Sequence, residues 1–219
     1  MENYIGLIVS YIFVFLMIGI STVLQKKGVF NDEGARKFIH IGVSNWWIIL
    51  MLFFDHVFLA SIAPISFIIL NYASYKLNII KAMERSGKGN LGTVYFPISL
   101  LILVLFSFAT GYLYIGGLGI LILGYGDGFA AVIGKSYGRR QLAFNKTLEG
   151  SLTMFFASLV VAITLLLIYV PAHAIWLAPL IALFATCVEL VTPKGLDNLS
   201  VPLATSLFSY IILLTIGAL

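Results

Sequence analysis

An aspartate inside an apolar run is the residue of this sequence best suited to chemistry. Asp127 lies in the segment GYGDGFAAVIGKS, eight residues before Lys135. If the segment is a helix, the carboxylate lies about 12 Å below the basic loop that follows. Ionisable groups within membrane spans are costly and mark functional sites by default, and a hydrogen bond between helices is the plainer alternative. The flanking Gly124, Gly126 and Gly128 fit either a ligand-lined break in the helix or close packing against neighbours.

The basic turn after Asp127 has a spacing that is close to a phosphate-binding motif. The pattern G-x5-G-K-S over 128–136 is one residue longer than the P-loop and follows no predicted strand, so we exclude a P-loop ATPase. The backbone amides of the turn 134–138 still offer donors to a phosphate, and Lys135, Arg139 and Arg140 add positive charge. We therefore predict that this turn contacts a phosphorylated ligand.

A second carboxylate follows in the segment NKTLEGS, residues 145–151. Lys146 closes the basic loop, Thr147 takes the N-cap position and Glu149 falls in the first helical turn. A glutamate there is often only a capping device. If Asp127 and Glu149 face the same loop, however, they form a two-carboxylate site of the kind that holds Mg²⁺ together with substrate phosphates.

Two cations and a histidine begin the second apolar run, in the segment ARKFIHIG. In a helix, Arg36 and His40 share a face because they are four residues apart, and Lys37 lies beside them. A bidentate arginine and a lysine at a helix start suit a phosphate chain. The alternatives are snorkelling of the two cations to the interface and a structural hydrogen bond for His40.

Two further polar segments fall in basic loops. The last one, ELVTPKGLDNLSVP, carries Glu189, Asp197 and Asn198, and a salt bridge between Glu189 and Lys194 is the simpler interpretation. The segment ERSGKGN offers side chains for the mouth of the same site, namely Glu84, Arg85, Lys88 and Asn90. Four loops that each carry cations, a carboxylate or both fit an anionic, metal-bound cosubstrate.

The composition excludes a water-soluble globule. Of the 219 residues, 61% are hydrophobic and only 10% are charged, and the mean hydropathy is +1.06. Soluble domains carry about a quarter charged residues. We predict one integral membrane domain over 1–219, all-α in class. The single cysteine, Cys187, excludes an internal disulfide, and no Cys/His spacing indicates zinc.

The elements that must position these residues are apolar runs long enough to span a bilayer. Eight are predicted, at 4–24, 39–54, 57–74, 93–109, 112–134, 148–170, 174–191 and 199–218. The second and third could instead form a hairpin that does not fully cross. All 13 Lys and Arg residues fall in four alternate loops, while the other loops and both termini hold none. The positive-inside rule then puts the basic loops in the cytoplasm and both termini outside.

Taken together, the polar segments resemble the membrane-bound polyprenol kinase family, which includes dolichol kinase, phytol kinase and the CTP-dependent diacylglycerol kinase. The matching segments are RKFIH (36–40), GTVYFP (92–97), GYGDGFAAVIGKSYG (124–138), KTLEGS (146–151) and ELVTPKGLDNLSVP (189–202). They follow one another in the expected order and cover most of the chain.

The resemblance implies a kinase that transfers the γ-phosphate of CTP to the hydroxyl of a membrane lipid alcohol, with Mg²⁺ or another divalent cation. The family's required Arg-Lys pair falls on Arg36 and Lys37, its acidic residue on Asp127 and its following glycine on Gly134. We predict four catalytic residues, Asp127, Arg36, Lys37 and His40, and three metal ligands, Asp127, Glu149 and Asp197. Nucleotide binding is predicted for Gly134, Lys135, Gly138, Lys146, Gly150 and Ser151. Whether Asp127 binds the metal or accepts the alcohol proton stays open.

Two other classes fit part of the pattern. Phosphatidate cytidylyltransferases are similar to this family and use the same nucleotide, but of their longer C-terminal signature only Asp197, Asn198 and a proline are present. An ion-coupled transporter would use Asp127 as its ion site, yet no inverted repeat is visible and the polar residues collect on one face. The expected partners are the lipid bilayer, a nucleoside triphosphate and a lipid alcohol, not nucleic acid. The oligomeric state does not follow from the sequence.

Overall fold

The protein is an all-α bundle, described here by a computed structural model over residues 1–77, 91–193 and 195–219. Within these ranges the α-helices are α1 (Glu2–Lys26), α2 (Asp32–Ser44), α3 (Trp46–Phe53), α4 (Val57–Leu77), α5 (Gly92–Thr110), α6 (Leu113–Leu121), α7 (Gly128–Tyr137), α8 (Leu148–Tyr169), α9 (Ala174–Val191) and α10 (Asp197–Thr215). A π-helical segment, Ile122–Asp127, joins α6 to α7.

Seven of the predicted membrane spans are confirmed as long apolar helices. The described residues contain seven helices with the length and hydropathy to cross a membrane, and α6, the π-helical segment and α7 count together as one of them. The predicted run 39–54 differs, because its helix starts earlier and is interrupted. The interruption is at Asn45, whose side-chain amide donates to the carbonyl of Ile41 and whose side-chain oxygen accepts from the Tyr125 hydroxyl. Side-chain bonds of this kind compete with the backbone ladder and bend helices.

The interrupted pair α2–α3 nevertheless runs the full length of α1, in the opposite direction. At one end the Ser21 hydroxyl of α1 donates to the carbonyl of Ala35 at 2.8 Å. At the other end the side-chain oxygen of Asn3 accepts from the backbone amide of Asp55 at 3.1 Å. The pair therefore extends over the same length as α1, the length that an eighth pass requires.

The helix from Leu113 to Tyr137 is the centre of the bundle. In its most apolar window 78% of the residues are buried, more than in any other spanning helix of the described ranges. Gly126 packs against Met154 of α8, and Gly124 packs against Ser44 of α2, so a side chain at either position would collide with its neighbour. The glycines are thus packing contacts, and the helix continues through a π-helical segment where we had considered a ligand-lined break. Such segments occur often at functional sites, and this one ends at Asp127.

Candidate active site

A polar cavity opens on the face of the bundle where α2, α8 and α10 begin. Its volume is about 620 Å³. Apart from Ala130, Ala131 and Gln141, the residues of its wall are Glu33, Lys37, Asp127, Gly134, Lys135, Gly138, Asn145, Lys146, Thr147, Gly150, Ser151, Glu189 and Asp197. Because the N-terminus of a helix favours negative charge, three such ends around one cavity favour a polyanionic ligand.

Asp127 and Lys37 form a buried ion pair on the wall of this cavity. The Lys37 Nζ lies 2.5 Å from Asp127 Oδ2 and also donates to the carbonyl oxygen of the same residue at 3.3 Å. His40 Nε2 lies 3.6 Å from Asp127 Oδ2. The structure therefore brings together three of the four residues that we predicted to be catalytic.

The local structure of α2 separates the fourth residue, Arg36, from Lys37. Asn31 caps the helix by accepting a hydrogen bond from the Gly34 amide at 2.8 Å. Successive helical residues point in different directions, so Lys37 enters the polar cavity while Arg36 lies beside His40 on a second, apolar pocket. Arg36 also forms an ion pair with Glu33, at 2.5 Å between Nη2 and Oε1. The prediction that Arg36 and His40 share a helix face is confirmed.

Lys146 is held by two carboxylates from the last pair of helices. Its Nζ pairs with Glu189 of α9 and lies 3.9 Å from Asp197 Oδ2 at the start of α10. Glu189 was not among our predicted site residues, because we interpreted it as a partner of Lys194. Its signal in the sequence is the same one that singled out Asp127, namely a carboxylate within an apolar run.

A short hairpin between α7 and α8 carries Lys146 to the cavity. Two backbone hydrogen bonds close it, from the Leu142 amide to the Lys146 carbonyl at 2.7 Å and from the Leu148 amide to the Arg140 carbonyl at 2.9 Å. Thr147 then caps α8 by accepting from the Gly150 amide at 3.1 Å, as predicted.

Glu149 and the turn 134–138 are placed differently from our expectation. Glu149 does not line the cavity, and its Oε2 accepts from the backbone amides of Arg139 and Arg140 at 3.0 and 3.4 Å. A long side chain in the first turn of a helix points back toward the N-terminus, so it reaches the preceding hairpin rather than Asp127. These two amides, and that of Gly138, which donates to the Gly134 carbonyl, are therefore already bonded and do not form a phosphate cradle.

The carboxylates of the cavity suit a hard divalent cation that arrives with a nucleotide. Asp127, Glu189 and Asp197 all line it, and oxygen donors are the ligands that Mg²⁺ prefers. Among the residues that the structure describes, no three His, Cys, Asp or Glu side chains are close enough to hold a metal ion by themselves. The arrangement therefore fits a metal that takes one or two protein carboxylates and completes its shell with phosphate oxygens.

Some of the predicted polar residues lie outside the described ranges. These are Lys194 and the side chains of the ERSGKGN segment, Glu84, Arg85, Lys88 and Asn90. Their expected place at the mouth of the site stays a prediction.

Comparison with known proteins identifies the kind of enzyme to which this chain belongs. The chain is 31% identical over 200 residues to a phytol kinase of Synechocystis sp. The aligned region covers 85% of this chain and 82% of that kinase. It is 32% identical over 214 residues to a probable chloroplastic phytol kinase 1 of Oryza sativa subsp. japonica, over 86% of this chain and 67% of that one. A chloroplastic phytol kinase 1 of Arabidopsis thaliana is 27% identical over 212 residues.

No protein-family model matches the chain, and no solved structure matches it. The alignments with these relatives nevertheless cover most of each chain. The phytol kinases also belong to the family that the polar segments of the sequence resemble. The ion-coupled transporter that we had considered is thereby set aside. The chain belongs to the membrane-bound polyprenol kinase family that includes the phytol kinases, and it is a kinase with an alcohol acceptor.

Proposed function

We propose that this protein is a CTP-dependent lipid kinase that phosphorylates a single-hydroxyl membrane alcohol, of which phytol is the first to test, at the cytoplasmic face of the cell membrane. The observation that carries the proposal is the buried Lys37–Asp127 pair. Asp127 lines the polar cavity and, through His40 at 3.6 Å, reaches the apolar pocket beside it. A phosphate donor and an apolar acceptor can therefore approach one carboxylate from two sides.

The polar cavity supports the nucleotide half of this proposal. Lys37, Lys135 and Lys146 line it, and Lys135 forms no ion pair with any residue that the structure describes. The buried Ser151 hydroxyl, which also lies on the wall, has no hydrogen-bond partner in the same ranges. A triphosphate would give these donors the charged acceptors that they lack. A Mg²⁺ ion bound with it, held by Asp197 and the oxygen donors near it, would neutralise part of the phosphate charge.

The transfer itself requires mainly positioning and charge neutralisation. The acceptor oxygen forms a bond to the γ-phosphorus as the bond to the β–γ bridging oxygen breaks, and CDP leaves. The hydroxyl proton passes to the Asp127 carboxylate, whose orientation is fixed by Lys37. Lys135 and Ser151 hold the phosphates in line with the acceptor, which removes much of the entropic cost of bringing two substrates together.

The cytoplasmic orientation rests on charge. The described basic residues Lys26, Lys27, Lys135, Arg139 and Arg140 lie in the loops or helix ends of the face on which the polar cavity opens. Cytoplasmic loops carry the excess of Lys and Arg in membrane proteins, and CTP is a cytoplasmic compound.

The decisive experiment uses membranes that contain the expressed protein, Mg²⁺, and a mixture of lipid alcohols and phosphatidate. CTP is labelled at the γ phosphorus in one reaction and at the α phosphorus in the other, and lipid extracts are separated by chromatography. We expect lipid label from the γ position alone, and the labelled product identifies the acceptor. Label from the α position would indicate cytidylyl transfer and would overturn the proposal. Label from γ-ATP but not from γ-CTP would overturn the choice of nucleotide.

A further inference from the structure

A narrow apolar pocket lies between α1, α2, α4 and α5, beside the polar cavity. Its volume is about 70 Å³. Apolar side chains form most of its wall, among them Val14, Ile18, Phe67, Phe96, Pro97 and Leu100. The pocket is thus bounded by helices that also face the lipid, and an apolar molecule could reach it from the bilayer.

The end of the pocket toward Asp127 is polar and incompletely bonded. Arg36 and His40 both line it, and the side chain of His40 is only 9% exposed. In the described part of the chain, His40 Nε2 and Arg36 Nε have no hydrogen-bond partner. Buried polar atoms without partners are costly, so two of them at the same pocket indicate a ligand that bonds to them.

The size of the pocket restricts the shape of that ligand. A water-sized group needs about 10–15 Å³, so the pocket has room for about five to seven such groups. That is the space of the first few carbons of one unbranched or methyl-branched chain. In a diacylglycerol the carbon next to the hydroxymethyl group carries one ester-linked chain and the following carbon carries the other, and this branching exceeds the space.

We infer that this pocket binds the first carbons of a single-chain lipid alcohol and holds its hydroxyl between His40 Nε2 and the Asp127 carboxylate. The inference rests on the proposed kinase function and deepens it, because it assigns the acceptor subsite and its shape. The hydroxyl hydrogen faces both acceptors, the imidazole nitrogen and the carboxylate, and the proton passes to Asp127 on transfer. The rest of the tail extends from the pocket into the bilayer.

The test compares two variants on α5. Leu100 lines the pocket and is 4% exposed, whereas Leu105 of the same helix is 51% exposed outside it. Leu100→Trp fills the space, so the KM for phytol should rise at least about tenfold, because one added group in a filled site already costs this much. Stabilisation by CTP with Mg²⁺ should be unchanged. Leu105→Trp should keep the wild-type KM.

A second measurement does not depend on the folding of a variant. A single-chain alcohol with a photoreactive diazirine near its hydroxyl is cross-linked to the wild-type protein, and the labelled peptides are sequenced. We expect label in α1 near Val14 and in α5 near Leu100, and we expect excess phytol to prevent it. Label confined to helices that do not line the pocket would overturn the pocket assignment.

The outcomes separate the two proposals. If the wild-type protein phosphorylates alcohols but Leu100→Trp and Leu105→Trp have equal KM values for phytol, the pocket assignment fails and the kinase function stands. Diacylglycerol phosphorylated as efficiently as phytol would also overturn the pocket assignment. If no alcohol receives label from γ-labelled CTP or ATP, the proposed function itself fails, and the subsite with it.

Discussion

The Lys37 Nζ lies 2.5 Å from Asp127 Oδ2, and the two residues are 90 positions apart in the chain. Both side chains are buried, at 4% and 7% exposure. The pair joins α2 to the end of the π-helical segment and holds the carboxylate between the polar cavity and the apolar pocket. Its position links stability to function, since neither charge can be removed without leaving the other uncompensated.

Lys37→Met should therefore destabilise the protein more than the double variant Lys37→Met with Asp127→Asn. Loss of one partner of a buried ion pair costs about 3–5 kcal/mol, whereas removal of both charges is often close to neutral. Thermal unfolding of the detergent-purified proteins measures the difference. Both variants should lack kinase activity. The single variant loses the lysine that orients the carboxylate, and the double variant also loses the carboxylate that accepts the proton. Equal unfolding temperatures for the single and double variants would contradict the expected energetic coupling between the two charges.

Asp127→Asn alone should remove turnover and lower the unfolding temperature, because the buried Lys37 loses its counter-charge, while the protein still inserts into the membrane. Asparagine keeps the size and one hydrogen-bond acceptor for Lys37, but its amide does not accept the alcohol proton. We expect a loss of at least about a hundredfold in kcat, the lower limit for general acid–base catalysis. Asp55→Asn is the matched control, because Asp55 lies at the other end of the bundle, beside Asn3. Near-normal turnover by Asp127→Asn would remove the carboxylate from the mechanism.

Much of the fold follows from the sequence because a bilayer imposes simple rules. Each spanning helix needs a long apolar run, and the runs from 57 onward match α4 to α10 closely. The break at Asn45 was not predictable in this way, since it depends on a tertiary hydrogen bond from Tyr125. The π-helical segment likewise depends on packing, because Gly124 and Gly126 contact two different helices.

Within the site, the cost of burying charge was a better guide than motif spacing. It selected Asp127, which the structure brings to one cavity with Lys37 and Lys146, two cations that were predicted from the basic loops. Spacing alone suggested Glu149 as a partner of Asp127. A side chain in the first helical turn points back toward the N-terminus, however, and Glu149 therefore accepts from the backbone amide of Arg139 in the hairpin. Pairings such as Lys37 with Asp127 could not be predicted, because they join segments that are distant in sequence.

Lys135→Met should weaken nucleotide use without affecting the alcohol. Lys135 is exposed, lines the polar cavity and forms no ion pair within the described ranges, so its charge is available to a phosphate. A hydrogen bond to a charged group contributes about 1.5–3 kcal/mol, so the KM for CTP should rise about tenfold or more. Lys26→Met is the control, since Lys26 is exposed at the end of α1 and does not line the cavity. A raised KM for phytol instead would contradict the assignment.

Ser151→Ala and Ser158→Ala form a matched pair on α8. Both hydroxyls are buried and lack hydrogen-bond partners among the described residues. Ser151 lines the polar cavity, whereas Ser158 faces Gly126 in the packed interior. A hydrogen bond to a charged phosphate contributes about 1.5–3 kcal/mol, so Ser151→Ala should lower the affinity for CTP about tenfold or more. Ser158→Ala should leave it unchanged, and equal effects would mean that Ser151 does not contact the nucleotide.

Asp197→Asn and Glu149→Gln distinguish a metal ligand from a structural carboxylate. Asp197 lines the cavity beside Lys146, while Glu149 accepts from the backbone amides of Arg139 and Arg140. The measurement is the increase in unfolding temperature caused by CTP with and without Mg²⁺. Asp197→Asn should lose most of the increment that Mg²⁺ adds, because one oxygen ligand of reduced charge replaces a carboxylate. Glu149→Gln should keep that increment but unfold at a lower temperature without ligand, since the hairpin loses charge-assisted hydrogen bonds. If Glu149→Gln instead loses the increment that Mg²⁺ adds and Asp197→Asn keeps it, then Glu149 is the metal ligand and Asp197 is not.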